Sequence, residues 1–166
     1  REQYFTMEEE LHMLEQYITI QEYRYQKRAV FSIDAKVGGQ YLIPHMTLQP
    51  LVENAIYHGM EFMDGDGEIF ISAWKEGEDL YLKVSDNGLG MTEEQVARLF
   101  SDTPHTGSSR GSGIGVKNVN ERIRLYFGSE YGLSIESEPD EGTVVTIHLP
   151  AVAYSEIRQK EEHDKT

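Results

Sequence analysis

Two stretches of apolar and polar alternation, each folding back on itself through a short polar turn, do most to limit the shapes open to this chain. Residues 68–75 and 79–85 flank the turn Glu76-Gly77-Glu78, and residues 133–137 and 143–149 flank Glu138-Pro139-Asp140-Glu141-Gly142. A period of two around a glycine-bearing turn specifies an antiparallel hairpin with one face to bury. The covering faces are supplied by helical periodicity elsewhere. Over 7–28 the residues Met7, Leu11, Leu14, Ile18 and Tyr25 form one seam, with Gln21 at the missing position. Thr6 followed by Glu8, Glu9 and Glu10 supplies a cap and a favourable first-turn charge. This helix reads equally well as lying on its own domain or as half of a helical hairpin or dimerisation stalk. A second helix is expected over 47–60, after the extended Ile43-Pro44 pair, with Leu48, Leu51, Val52, Ala55, Ile56 and Gly59 as its stripe. A short helix over 93–100 is capped by Thr92, and another over 116–127 ends at Gly128. A short strand over 30–34 precedes Gly38-Gly39, and 101–115 reads as a loop rich in Ser, Thr and Gly. The predicted fold class is α+β, a two-layer sandwich in which helices cover one face of a mixed, mostly antiparallel sheet, with an additional N-terminal helix.

Composition narrows the function. The 166 residues carry 15 Lys and Arg against 29 Asp and Glu, a net charge of −14, which argues against nucleic acid as a partner. The length suffices for one domain with a real core. With no Cys there is no disulfide scaffold, thiol nucleophile or Cys-ligated metal. No apolar stretch approaches the roughly 20 residues of a membrane span. The chain starts at Arg1 in a charged pattern, and residues beyond Tyr154 are charged without period, so a fragment of a longer protein with a frayed tail is expected.

Three segments carry candidate chemistry. In Leu48-Gln49-Pro50-Leu51-Val52-Glu53-Asn54-Ala55-Ile56-Tyr57-His58-Gly59, Asn54 and His58 lie one turn apart on one edge of the apolar stripe and Glu53 leans to the other. The Asn54 amide oxygen suits a hard cation such as Mg²⁺; alone, Asn54 reads as an ordinary surface residue. Asp86-Asn87-Gly88-Leu89-Gly90-Met91 follows a strand. A carboxylate there can accept from an exocyclic amine such as adenine N6, and the glycines let backbone approach a flat ring; alone, Asp-Asn-Gly is a turn. Gly111-Ser112-Gly113-Ile114-Gly115 opens a helix, an arrangement that suits phosphate oxygens but is weak evidence by itself. It matches neither the Walker nor the dinucleotide form.

In this order, within a span of about 60 residues, the three segments resemble the Bergerat-type ATP-binding fold of gyrase, Hsp90, histidine kinases and MutL. The nearer resemblance is to the catalytic domain of sensor histidine kinases of the LytS and YesM type, with residues 48–59, 86–91 and 111–115 similar to its N, G1 and G2 boxes. Val116 to Ile123 and the Gly142-Thr143 strand are also similar, so the resemblance covers residues 7–150. It implies that Asn54 binds a Mg²⁺ bridging the ATP phosphates and that Asp86 holds adenine. It further implies that Gly88, Gly90 and Met91 shape the base pocket, that Thr143 backs the adenine, and that Gly111, Gly113, Ile114 and Gly115 shape a phosphate lid over 101–113. His58 joins the nucleotide site. Glu53 is read either as a contact to an incoming acceptor histidine or as part of a solvated helix face.

One departure is Tyr57, where related kinases commonly have Lys; His58, Arg110 and Lys117 are the candidates for that role. Another is Pro50, at the position where the superfamily's ATPases carry the glutamate that activates water. Pro50 cannot take a proton, so phosphoryl transfer to protein is favoured over hydrolysis. The acceptor is expected upstream. His45 stands too close to Asn54, His12 lacks acceptor context, and His105, His148 and His163 lie in the lid, a strand and the tail. The expected division is 1–28 as the end of a dimerisation and phosphotransfer helix, 29–152 as the catalytic ATP-binding domain and 153–166 as a charged tail. The expected partners are the upstream phosphoacceptor helix, a response regulator receiver domain and a second copy of the full-length protein. The expected location is the cytoplasmic side of a membrane-anchored sensor. An interaction module without phosphotransfer, and less favourably an ATPase of the gyrase or Hsp90 kind, are the competing readings.

Overall fold

A computed structural model describes residues 4–25, 29–57, 67–101 and 114–153. Along the chain these form β1 (Tyr4–Thr6), α1 (Met7–Arg24), β2 (Ala29–Ala35), β3 (Leu42–Pro44), α2 (Leu48–Ala55), β4 (Gly67–Glu76), β5 (Asp79–Asp86), α3 (Glu93–Leu99), α4 (Ile114–Phe127), β6 (Gly132–Glu138) and β7 (Gly142–Pro150). Both hairpins form, β4 with β5 and β6 with β7, and they join through an antiparallel β5–β7 pair. β2 adds parallel to β4, so the sheet order is β2-β4-β5-β7-β6. One parallel pairing among antiparallel ones gives the mixed, mostly antiparallel α+β sheet expected from the alternation.

The alternation also decides which face is covered. Ile69, Ile71, Leu82, Val84, Val145 and Ile147 point to one side and are buried together with Leu14 and Ile18 of α1, Leu51 and Val52 of α2, and Val119 and Ile123 of α4. The opposite face carries a ladder of rings. Trp74 stacks on Tyr81 at 5.4 Å, Tyr81 on His148 at 4.9 Å, and Tyr131 tilts against His148 at 4.9 Å. His148 Nε2 lies 3.2 Å from Asp79 Oδ2.

α1 begins at a capping box: Thr6 Oγ1 accepts from Glu9 N, and Glu9 Oε1 accepts from Thr6 N, both at 3.2 Å. Two further N–H groups of its first turn reach the Gly38-Gly39 loop region, Met7 N to Tyr41 O at 2.7 Å and Glu8 N to Gly39 O at 3.2 Å. Gln21 is buried at the seam position where an apolar residue was missing. The seam of α1 lies on the chain's own core. α3 carries a second capping box, between Thr92 and Gln95. β1 was not anticipated. It is three residues long, too short for a periodic signal, and forms because the extended Ile43-Pro44 segment offers a pairing partner, Phe5 opposite Ile43. No helix among the described residues is long and apolar enough to cross a membrane.

Candidate functional site

The site begins with α2. Leu48, Leu51, Val52 and Ala55 bury its stripe, and Asn54 goes inward with them, only 6% exposed rather than on the rim where the wheel put it. The reason is that several elements crowd this short helix: it packs against β5, α1 and α4. Asn54 Oδ1 is buried and has no hydrogen-bond partner among the described residues. Buried carbonyl oxygens are nearly always satisfied in native structures, so an unpartnered one invites a ligand. Glu53 lies on the exposed flank, its Oε1 accepting from Gln49 Nε2 at 3.0 Å. Pro50 stands in the first turn, where a missing N–H costs nothing. A Cβ on Gly115 would come within 3.1 Å of Pro50 Cβ, so a glycine there lets the first turn of α4 close onto α2.

The start of α2 is held from two sides. Glu10 Oε1 accepts from Thr47 N at 2.9 Å and Leu48 N at 3.3 Å. Arg122 of α4 donates to the carbonyls of His45 at 2.6 Å and Met46 at 2.8 Å, clamping a turn in which Met46 has φ +60°. His45 stacks on Phe5 at 4.0 Å within this structure. None of these contacts was anticipated; they join residues up to 77 positions apart, beyond any periodic or motif signal.

At the end of β5, Asp86 stands opposite Thr143. Burial pushes its carboxyl from 3.8 up to about 6, although backbone hydrogen bonds from Gly88 and Thr143 pull the other way. Gly88 N donates to Asp86 Oδ1 at 2.9 Å. Asn87 ties the loop to β4, its N donating to Glu68 O at 3.2 Å and its Oδ1 accepting from Glu68 N at 2.8 Å. Gly90 has φ +69°, and a Cβ there would lie 1.9 Å from Glu138 O; Gly142 has φ +125°, and a Cβ there would lie 2.1 Å from Asp86 O. The 86–91 loop is thus pressed against the β6–β7 turn by backbone alone, with Met91 and Gly88 buried. Ser137 joins the two: its Oγ accepts from Met91 N at 2.7 Å and hydrogen-bonds Thr143 Oγ1 at 2.7 Å and Gly142 O at 3.0 Å. Ser137 was missed; its only signal is its register opposite Thr143 in the second hairpin.

Ile114 and Gly115 belong to the first turn of α4, which starts two residues earlier than the spacing suggests, so Gly115 serves a close helix contact rather than a loop. His58, Gly111 and Gly113 lie outside the described residues, as do Arg110, His105 and His163. Lys117 Nζ lies 3.7 Å from Glu121 Oε1 and borders a cavity of about 1010 Å³ that Arg124, Tyr131 and His148 also line. Asn54, Asp86 and the 88–91 residues do not line that cavity. His12 is on the exposed side of α1, 3.3 Å from Gln16. α2 thus carries a buried amide oxygen, while the end of β5 carries a carboxylate of raised affinity for its proton and glycines that bring backbone into close contact.

The pattern that describes the histidine kinase-, DNA gyrase B- and HSP90-like ATPases matches residues 40–153. The sensor histidine kinase YesM of Bacillus subtilis is 39% identical over 146 residues, 87% of this chain and 24% of that protein. The sensor histidine kinase BtsS of Escherichia coli is 34% identical over 149 residues, 89% of this chain and 24% of that protein. The chain thus spans about a quarter of the length of these relatives. In three dimensions, the catalytic domain of histidine kinase ThkA, solved in a nucleotide-free form, superposes with a TM-score of 0.64 at 18% identity, covering 89% of this chain and 94% of that one.

Proposed function

The chain belongs to the histidine kinase-, DNA gyrase B- and HSP90-like ATPase family, and on that footing we propose that it is the ATP-binding catalytic domain of a two-component sensor histidine kinase. The observation that carries this reading is the buried, unpartnered Oδ1 of Asn54. It fits a hard cation that keeps most of its water and takes the rest of its ligands from phosphate. Mg²⁺, when bound, neutralises charge on the phosphate oxygens. Asn54 would hold it.

The remaining roles fall to this chain's own groups. The Asp86 carboxylate accepts from the adenine amine, while Gly88, Gly90 and Met91 form the wall against the ring and Thr143, held by Ser137, backs it. His58 and the 111–115 glycine segment, Gly111, Gly113, Ile114 and Gly115, contact the phosphates. Glu53, exposed beside Asn54, meets the incoming acceptor histidine. Pro50 cannot take a proton from water, which supports transfer to a histidine nitrogen, the bond to the γ-phosphorus forming as the β–γ bridge breaks. Few acid or base groups are needed, since such transfer is mostly positioning and charge stabilisation.

On the same reading, residues 1–28 are the end of a dimerisation and phosphotransfer helix, 29–152 the catalytic domain and 153–166 a charged tail. The exposed Met13, Ile20 and Tyr23, at spacings of seven and three on the side of α1 away from the core, support a helical partner there. The acceptor histidine lies upstream, the full-length protein dimerises and sits in a membrane with this domain on the cytoplasmic side, and phosphate passes to a receiver domain. Incubation with γ-labelled ATP tests this. The chain alone should take no acid-labile, base-stable label, and adding the upstream helices and a cognate receiver should produce label that moves onward. Label on the chain alone, or none with the helices present, contradicts it.

A further inference from the structure

We propose that Glu10 of α1 is a positioning residue for Asn54, acting through the start of α2; the inference rests on the magnesium role given to Asn54 above. The opening N–H groups of a helix have no partner within it and need one from outside. Thr47, which precedes α2, does not supply it, because its hydroxyl donates to Pro44 O instead. Glu10, 37 positions earlier and 3% exposed, fills the vacancy: one carboxylate oxygen takes both Thr47 N and Leu48 N.

A buried carboxylate is costly to place, and it is retained where its hydrogen bonds are specific. Here both run to the first turn of the helix that carries Asn54. Its second oxygen makes no hydrogen bond among the described residues and lies 3.8 Å from His45 Nδ1, in the turn whose carbonyls Arg122 grips. Asn54 follows Leu48 by six residues, roughly 9 Å along the axis, on an eight-residue helix with no internal break. A short rigid helix carries any rotation or slip of its first turn to that side chain. Glu10 therefore sets where the Asn54 oxygen stands, and it does so from α1, an element outside the motif segments.

The test compares Glu10→Gln, which keeps an acceptor at the same reach, with Glu10→Asp, which keeps the charge but shortens the arm, and with Glu10→Ala. A non-hydrolysable ATP analogue is titrated with Mg²⁺ and with EDTA. The ratio of the two affinities should fall by about fivefold to tenfold in Ala and Asp, the size expected for a lost cap, and stay within about twofold of wild type in Gln. The EDTA affinity, set by the base pocket, should move by less than about twofold in all three. Amide exchange of 47–55 in the nucleotide-free protein should quicken in Ala and Asp and not in Gln. An undiminished ratio in both Ala and Asp, a Gln variant as impaired as Ala, or a parallel loss of the EDTA affinity overturns the proposal. If Glu10→Ala does not fold, the Asp and Gln pair decides. A wild-type protein without magnesium-dependent binding rejects the functional reading instead, and amide exchange then still decides whether Glu10 holds α2.

Discussion

Asp86 is asked to be charged in a place that resists charge. With its folded pKa raised from 3.8 to about 6, the folded state holds its proton more tightly than the unfolded one. The associated stability is complete below about 3.8 and lost as pH rises through about 6. Asp86→Asn removes that loss, so at pH 8 the variant should be more stable by about 1 to 3 kcal/mol, and the gain should vanish near pH 4, as urea titrations at the two pH values would show. Binding runs the other way. Nucleotide affinity of the wild type should drop as pH falls through about 6, and the difference between wild type and Asp86→Asn, in which the titration of the phosphates cancels, should shrink over the same range. A Gly90→Ala variant meets both a φ of +69° and the Glu138 carbonyl, so thermal unfolding should register a loss of at least about 1 kcal/mol. The glycines of the 86–91 loop were legible as points of close backbone approach, the neighbour at Gly90 being the Glu138 carbonyl. Ser137 was not, because a serine on a strand is ordinary until the register sets it opposite Thr143.

Helices and hairpins were the most legible part of the chain, since periods of 3.6 and 2 survive any tertiary context that buries one face. The seam of α1 came out as read, including the polar Gln21 on the buried side. Leu14→Ala in that seam should cost about 2 to 5 kcal/mol in chemical unfolding, the range for a fully buried leucine; a loss well under 1 kcal/mol would mean that α1 is not part of the core. Illegible elements share a cause. β1 exists only because β3 lies beside it, and α4 starts early only because Gly115 lets its first turn rest on Pro50. Asn54 was read on the rim because a helical wheel shows one helix and not its neighbours. Glu10 and Arg122, which hold α2 in place, belong to the same class of long-range contact.

Taken together, the molecule presents a net charge of −14 to a ligand that is itself polyanionic. The field of the whole protein therefore opposes binding, and affinity has to come from local donors, joined on the proposed reading by a cation. The fold was legible because two hairpins with intervening helices leave few ways to bury one sheet face, and the family because three short segments appear in a set order. That Asn54 Oδ1 is buried and unpartnered was not, because that depends on packing between α1, α2 and α4. Calorimetric titration of ATP with and without Mg²⁺ should show magnesium-strengthened binding in the wild type. In Asn54→Ala the magnesium increment should disappear, a loss of tenfold or more, roughly, for a charge-assisted contact, while binding in EDTA is retained. An Asn54→Ala protein that folds and keeps the full magnesium increment would contradict the account.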